Sequence, residues 1–265
     1  MKASRRKIEE ALWVIGMHGA ARALYRATMG RERTSLHESM IDFYRTLLPP
    51  GALVFDVGAN VGKFSEVFAS VGGRVVAVEP NGDCLRHIEI SYAGLNIEAI
   101  HAAVGPRNGL AVLNLSDERD DLSSLSQEWI GVMEGAHQEY KGLWSKQVTV
   151  PVITLDALID RYGIPAFIKI DVEGFEEFVL DGLSAQPPLL SFEFNAARPD
   201  ATMRCVDKSV FGPKSLFNFA FGDPTGFELS EWVPRNGLNA VLGRLEKRER
   251  HGDVFVKCSE SPQQT

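Results

Sequence analysis

The segment VFDVGANVGKFSEVFASVGGRVVAVEP, residues 54–80, decides the fold of this 265-residue chain. Apolar, β-prone residues lead to Asp56, and a turn follows that carries Gly58 and Gly62. An apolar, helix-like stretch then leads to a second strand, which ends at Glu79. This order predicts a βαβ unit that binds a ligand at its glycine turn. Nicotinamide cofactors, flavins and S-adenosylmethionine all bind to such units, so the residues of the turn must decide between them.

The turn lacks the middle glycine of a dinucleotide-binding loop. In a G-x-G-x-x-G loop that glycine lets the backbone approach a pyrophosphate at a helix N-terminus, whereas this chain has Asn60 there. Asn60 would crowd a pyrophosphate but can exchange hydrogen bonds with an amino-acid group, and Asp56 favours a cationic ligand. Because S-adenosylmethionine has no phosphate and carries a sulfonium and an amino group, we expect it as the cofactor. An NAD-dependent oxidoreductase with the same fold is the alternative.

Glu79 is the second part of the cofactor signal. It follows Gly62 by 17 residues, at the end of the next strand, where a carboxylate can accept hydrogen bonds from both hydroxyls of a ribose. Each residue also has an alternative, purely structural interpretation. In that interpretation Gly58 and Gly62 only permit a tight turn, Asp56 caps the next helix, and Glu79 is a solvated strand end. Their combination in one βαβ unit favours the cofactor site.

The composition is that of a globular protein with an acidic body. The chain is 45% hydrophobic and 24% charged, which excludes global disorder, and its net charge of −7 disfavours nucleic acid as a partner. Residues 1–50 hold nine Lys/Arg and five Asp/Glu, so this segment carries +4 and the remainder −11. The sequence predicts no oligomeric state.

The cysteines and the N-terminal segment bear on the compartment. Three widely separated cysteines without C-x-x-C spacing predict neither a disulfide framework nor a zinc site, and they favour a reducing, cytoplasmic location. Basic residues precede an apolar stretch in residues 1–30, but charged residues interrupt it and it is too short to span a membrane. We expect its apolar helical face to dock on the core, with weak peripheral membrane contact as the alternative.

Consecutive prolines and Gly51 separate two predicted regions, a helical extension over residues 1–50 and a cofactor-binding domain over residues 51–265. Strands and helices alternate in the second region, which predicts an α/β, Rossmann-like, mostly parallel and doubly wound sheet. A hairpin between residues 96–105 and 109–116 is expected to replace one helix. The polar stretch that follows is expected to be a loop with a short helix near Trp129.

A second constellation lies in FIKIDVEG, residues 167–174. Strand alternation places Lys169 and Asp171 on one face, and the carboxyl end of the strand brings Asp171 and Glu173 to the ligand crevice. Methyl transfer to an alcohol needs in-line positioning and a base for the hydroxyl proton. The candidate catalytic residues are therefore Asp171, Lys169 and Glu173. The alternative is a buried Lys169–Asp171 ion pair, with Glu173 capping the next helix.

Other side chains support weaker hypotheses. Asp171, Glu173 and Glu193 could hold magnesium, which binds oxygen ligands, although no metal is the expectation. Ser123 and Ser124 either reach the ligand or bond within their own loop. For three histidines we expect surface or core roles, with a catalytic base as the alternative: His87, His101 and His137. For three tryptophans we expect structural roles, with the mouth of a substrate site as the alternative: Trp129, Trp144 and Trp232.

Five stretches in order, VFDVGANVGKFS, VVAVEPN, SSL, TLDAL and FIKIDVEGFEEFVLDGL, resemble the FkbM family of S-adenosylmethionine-dependent methyltransferases. The resemblance spans roughly residues 50–195 and implies a seven-stranded class I methyltransferase fold. It also implies O-methylation of a sugar or natural-product hydroxyl, with Asp171 facing the reaction centre. The implied cofactor positions are Asp56, Gly58, Asn60, Gly62, Glu79 and Asn81. A non-catalytic module that binds the cofactor without turnover is a further alternative.

Overall fold

The computed structural model describes residues 31–116, 123–136, 138–195, 198–243 and 251–257. The strands are β1 (Leu53–Val57), β2 (Arg74–Val78), β3 (Ile97–Ile100), β4 (Ala103–Val104), β5 (Gly109–Leu115), β6 (Lys146–Ile153), β7 (Phe167–Ile170), β8 (Leu189–Asn195), β9 (Leu216–Phe221), β10 (Val233–Pro234) and β11 (His251–Lys257). The helices are α1 (Arg31–Leu47), α2 (Lys63–Ser70), α3 (Gly82–Ser91), α4 (Gln127–Ala136), α5 (Leu155–Tyr162), α6 (Glu176–Leu180), α7 (Pro199–Val206) and α8 (Arg235–Leu242).

In the main sheet, β1 lies in the interior between β7 and β2, and this arrangement creates a crevice. The strand order is β10-β9-β11-β8-β7-β1-β2-β3, with β3, β2, β1, β7 and β8 all parallel. The chain runs outward from β1 to β3 and then returns to β7 on the other side of β1. Such a switch point opens a ligand crevice at the carboxyl ends of the strands. The predicted doubly wound, mostly parallel sheet is confirmed.

Two details of the predicted topology were wrong. The sheet has eight strands rather than seven, because β10 adds a two-residue antiparallel pairing at the edge beside β9, and a segment that contains proline carries little strand signal. The expected hairpin does not form. Instead β6 lies between β4 and β5 in a separate three-stranded sheet, parallel to the first and antiparallel to the second. Local apolar patterns predicted strands in both segments. They did not predict the pairing, because β4 and β5 each pair with β6, which lies further along the chain.

Helices cover both faces of the main sheet. One face packs against α1 and α2, and the other against α5 to α8. In α1, Met40 and Tyr44 are 1% and 0% exposed, so this helix is built into the core of the protein. The apolar face predicted within residues 1–30 lies outside the described residues, and the division at residue 50 stays a prediction. Within the described ranges, no helix is both long enough and apolar enough to cross a membrane.

Local signals account for several helix boundaries. Thr154 caps α5 by accepting a hydrogen bond from the Ala157 N–H at 3.0 Å, and Asp156 occupies the first turn. Asn81 caps α3 in the same way, accepting from the Asp83 N–H at 3.0 Å. The short helix expected near Trp129 is α4. The cap at Asn81 starts α3 directly after Glu79 and Pro80, at the carboxyl end of β2.

Candidate active site

A cavity of about 410 Å³ opens at the switch point between β1 and β7. Its walls come from the turns that follow β1, β2 and β7, from the start of α2, from β4 and β5, and from the segment that precedes α4. Residues from each of these parts line it: Gly58, Asn60, Phe64, Glu79, Val104, Leu113, Ser123, Ser124, Asp171 and Glu173. The sheet topology thus brings together both constellations singled out in the sequence.

The two glycines of the first turn have different roles. Gly58 has a φ of +78°, and a Cβ atom there would lie 1.8 Å from the backbone oxygen of Asp171. Gly58 therefore allows the turns after β1 and β7 to meet, and it lines the cavity. Gly62 has a φ of +81°, and its Cβ would lie 2.7 Å from the ring of Tyr92 on α3. Gly62 packs the turn against α3 and does not line the cavity.

Glu79 connects the turns after β1 and β2. Its Oε2 accepts a hydrogen bond from the Asn60 N–H at 2.7 Å, and its Oε1 accepts one from the Asn81 N–H at 2.8 Å. Glu79 is 5% exposed, and burial raises its pKa to about 7 despite these bonds. The side chains of Glu79 and Asn60 border the cavity, whereas Asn81 lies behind it as the cap of α3.

Asp56 lies behind the cavity rather than in its wall. The residue is 1% exposed and accepts a hydrogen bond from the Ser65 hydroxyl of α2 at 2.5 Å. Burial raises the pKa of Asp56 to about 6, while the Ser65 bond and Lys169 act in the opposite direction. Asp56 therefore fastens β1 to α2. Of the six residues that the sequence assigns to the cofactor, three line the cavity: Gly58, Asn60 and Glu79. The other three do not line it: Asp56, Gly62 and Asn81.

Lys169 holds Asp171 from beneath. Its ammonium group donates to Asp171 Oδ2 at 2.7 Å and lies 3.6 Å from Asp253 Oδ1. Lys169 is 1% exposed, and its Nζ lies 4.2 Å from the centre of the Phe64 ring. Burial alone lowers the pKa of Lys169, but the charges of Asp171 and Asp253 outweigh it and raise that pKa well above its usual value. Lys169 therefore stays protonated, positions Asp171 and does not line the cavity.

The turn after β7 is held in an unusual conformation. Glu173 has a φ of +52°, and its backbone oxygen accepts a hydrogen bond from the Ser124 hydroxyl at 2.7 Å. Asn60 and Glu173 are the two non-glycine residues with positive φ in the described part of the chain, and both line the cavity. Backbone conformations of this kind are uncommon for side-chain-bearing residues and concentrate at functional sites.

Glu176, the first residue of α6, holds the turn that precedes this helix. Its carboxylate accepts hydrogen bonds from the N–H groups of Val172 at 3.1 Å and Gly174 at 3.2 Å. Burial raises the pKa of Glu176 to about 7. Glu173, in the same turn, lines the cavity. No sequence pattern distinguished Glu176 from its acidic neighbours.

Carboxylate oxygens of Asp171, Glu173 and Glu193 lie within 4.8 Å of one another. Burial raises the pKa of Glu193 well above its usual value, and the charges of Glu173 and Asp171 raise it further. The three acids of the magnesium hypothesis thus meet, but acidic groups cluster without a metal as well, and that hypothesis stays a prediction.

The other candidate side chains are dispersed. His101 lies 2.9 Å from the Pro80 backbone oxygen on an exposed surface, His87 contacts Ser91 within α3, and His137 lies outside the described residues. Trp144 packs edge-on against Trp129, with ring centres 5.7 Å apart. Residues of the site that sequence reasoning missed are Phe64, Glu176 and Asp253.

A family model described as the methyltransferase FkbM domain matches residues 56–209, more than half of the chain. This chain belongs to the FkbM methyltransferase family. It is therefore an S-adenosylmethionine-dependent methyltransferase, and the class I methyltransferase fold suggested by its sequence is confirmed. No curated protein is significantly similar to this FkbM protein in sequence.

Several solved structures match this chain at low identity and with low TM-scores. Precorrin-6y C5,15-methyltransferase from Geobacter metallireducens is 11% identical over 84% of this chain and 89% of that one, with a TM-score of 0.41. An rRNA methylase from Streptococcus thermophilus is 12% identical over 88% and 99% of the two chains, with a TM-score of 0.38. An O-methyltransferase from Thermotoga maritima is 11% identical over 84% and 66%, with a TM-score of 0.40.

The cavity of this FkbM protein fits the chemistry of S-adenosylmethionine. Glu79 offers carboxylate oxygens for ribose hydroxyls, and Val104 and Leu113 supply apolar walls for a base. A pyrophosphate would instead face Glu79 and the side chain of Asn60, which suits it poorly.

Proposed function

We propose that this FkbM methyltransferase transfers a methyl group to a hydroxyl of a sugar or natural-product acceptor. The observation that supports an oxygen acceptor is the carboxylate of Asp171, which lines the cavity and is oriented by Lys169 at 2.7 Å. An alcohol loses its proton as it forms a new bond, so a carboxylate in reach of that proton serves as the base.

The proposed roles follow the position of each side chain. Glu79, Asn60 and Gly58 hold the cofactor, while Asp56, Gly62 and Asn81 maintain the shape of its site. Bound S-adenosylmethionine supplies the methyl group and keeps the electron pair of the broken C–S bond on sulfur. Asp171 accepts the hydroxyl proton of the acceptor, whose oxygen forms the new C–O bond.

Lys169 contributes by keeping the carboxylate of Asp171 in position, through the contact at 2.7 Å. Its buried ammonium cannot act as the base, since neighbouring carboxylates raise its pKa. Glu173 borders the same cavity at a fixed backbone turn and orients the acceptor. In-line placement of two partners accounts for much of the rate of such displacements.

The experiment that tests the proposal has two parts. Calorimetric titration with S-adenosylmethionine, S-adenosylhomocysteine and NAD, on protein stripped of carried-over ligand, should give binding of the two adenosyl compounds alone. Incubation with methyl-labelled S-adenosylmethionine and a panel of hydroxylated acceptors should then give a product that carries the label as an O-methyl ether. Binding of NAD alone, or a label found only on nitrogen or carbon, would overturn the proposal.

Two variants separate binding from chemistry. Glu79→Ala should weaken cofactor binding by about 1.5–3 kcal/mol, the contribution of hydrogen bonds to a charged group. Asp171→Asn should leave cofactor affinity unchanged and lower turnover by about 10²- to 10⁴-fold, the usual contribution of a general base. Full turnover of Asp171→Asn would remove Asp171 from the catalytic residues.

A further inference from the structure

Among the described residues that line the cavity of about 410 Å³, Lys63 alone carries a positive charge. The other charged side chains of this wall are acids: Glu79, Asp171 and Glu173. S-adenosylmethionine carries a carboxylate on its methionyl part, in addition to an amino group and a sulfonium. A carboxylate that leaves water needs a cation or N–H donors in its place. Lys63 is therefore the side chain in this wall that can pair with the negative group of the ligand.

The strand order places the methionyl part of the ligand over the turn after β1. In the sheet β1 lies between β2 and β7. The cavity is lined by Glu79 after β2, by Asn60 after β1 and by Asp171 after β7. A ligand whose ribose binds to Glu79 and whose methyl group lies near Asp171 must therefore cross the turn after β1. Lys63 follows this turn as the first residue of α2.

The ammonium group of Lys63 contacts Asp223 Oδ2. Asp223 lies between β9 and β10, outside the residues 56–209 that the family model matches. The side chains of Lys63 and Asp223 are 48% and 28% exposed. An ion pair with this exposure contributes little to stability, because water and salt screen it. Lys63 can therefore exchange Asp223 for another carboxylate with little loss of free energy.

Phe64 holds the side chain of Lys63 beside the cavity. The Phe64 ring also lines the cavity, and Lys63 Nζ lies 5.6 Å from its centre, where the ring attracts a cation. The ammonium group of Lys169 lies 4.2 Å from the centre of the same ring, but it donates to Asp171 at 2.7 Å and does not line the cavity. Lys63, unlike Lys169, is thus in reach of a ligand.

We propose that Lys63 binds the methionyl carboxylate of S-adenosylmethionine, and that this carboxylate displaces Asp223 from the ammonium group. This inference rests on the proposed function, because it uses the cofactor site given there. One ammonium–carboxylate pair replaces another, so Lys63 stays neutralised throughout the exchange. The exchange releases Asp223 and thereby couples cofactor binding to the segment between β9 and β10. A ligand without the carboxylate neither uses Lys63 nor displaces Asp223.

The test compares three adenosyl ligands by calorimetric titration. S-adenosylhomocysteine has the carboxylate, its decarboxylated analogue lacks only that group, and methylthioadenosine lacks the whole amino-acid part. Lys63→Met should weaken binding of S-adenosylhomocysteine about fivefold, which is the upper range for a partly exposed ion pair. The affinities of the other two ligands should change by less than about twofold. Lys63→Arg should retain most of the affinity, since a guanidinium also pairs with a carboxylate.

Asp223→Asn removes the competing carboxylate. This variant should bind S-adenosylhomocysteine about two- to fivefold more tightly, and its affinities for the other two ligands should be unchanged. Lys208→Met is the matched control, because Lys208 also forms a lysine–aspartate pair, with Asp181 at 2.6 Å, but does not line the cavity. The control variant should bind all three ligands as the wild type does.

The outcomes distinguish this inference from the proposed function. If the wild type binds S-adenosylhomocysteine and Lys63→Met binds it equally well, the inference is overturned and the cofactor site stands. Equal weakening for all three ligands would also overturn it, since Lys63 would then act through the shape of the site. Weaker binding in Asp223→Asn would overturn the exchange, because Asp223 would then orient Lys63. A wild type that binds no adenosyl compound would refute the proposed function and this inference with it.

Discussion

The contact between Gly58 and Asp171 leads to a quantitative prediction. A Cβ at residue 58 would lie 1.8 Å from the Asp171 backbone oxygen and 2.7 Å from its carbonyl carbon. Ordinary van der Waals contact begins at about 3.4 Å, so Gly58→Ala must move the two turns apart by roughly 1.6 Å. Both turns border the cavity that is proposed to hold the cofactor, and the turn after β7 carries Asp171, the proposed base.

The expected effect of Gly58→Ala has two parts. An alanine at a φ of +78° costs about 1–2 kcal/mol through its left-handed backbone, and the forced displacement costs a further 1–3 kcal/mol or so, as overpacking does. The free energy of unfolding should fall by the sum of both parts. Because misplacing reacting groups by about 1 Å can reduce rates roughly 10²-fold, turnover should fall by at least this factor.

Gly94→Ala provides the matched control. Gly94 has a φ of +81°, and a Cβ there would meet nothing within 4 Å. This variant should therefore lose only the backbone part, about 1–2 kcal/mol, and retain cofactor affinity and turnover. Urea unfolding and calorimetric titration with S-adenosylhomocysteine measure both quantities. If Gly58→Ala is no less stable than Gly94→Ala and binds the cofactor normally, the close approach of the turns is not required.

Two further predictions concern the buried charges. Lys169→Met leaves Asp171 and Asp253 without their cation, so the free energy of unfolding should fall by about 3–5 kcal/mol; combining it with Asp253→Asn should recover part of this loss, and simple additivity in urea unfolding would argue against the coupling. Burial raises the pKa values of Glu79 and Glu176 from 4.5 to about 7, so the folded state holds protons that the unfolded state releases. The contribution of these protons to the free energy of unfolding is complete below pH 4.5 and is lost as the pH rises to about 7. Glu176→Gln should flatten the dependence of the urea unfolding midpoint on pH between these values. An unchanged pH dependence would contradict the raised pKa of Glu176.

The part of the site that could be predicted from the sequence consists of local signals. Glycine positions, strand alternation and the spacing to Glu79 are encoded within the segment of residues 54–80, and FIKIDVEG is equally local. These features correctly indicated the βαβ unit, the cofactor class and the family. They also indicated that Asp171 and Glu173 would lie at the crevice.

The same signals did not indicate which side chains face the ligand. Asp56 belongs to the motif, yet alternation along β1 turns it toward Ser65 of α2 and away from the cavity. Asn81 likewise serves as a helix cap. Motif spacing specifies where the backbone turns, whereas the direction of each side chain depends on the helix that packs against that face.

The sequence alone therefore determined the fold class, the cofactor and the two turns that line the cavity, because each is encoded by residues close together in the chain. Only the tertiary structure decided the pairing of β5 with β6 and the burial of Lys169 beside Asp253. It also decided the position of a second cavity, of about 250 Å³, which is lined by residues of α4, α7 and β11. These features join segments far apart in sequence, and their formation depends on strand register and on helix packing across the sheet. For that reason these features, unlike the turn that carries Gly58 and Gly62, have no local signature in the sequence.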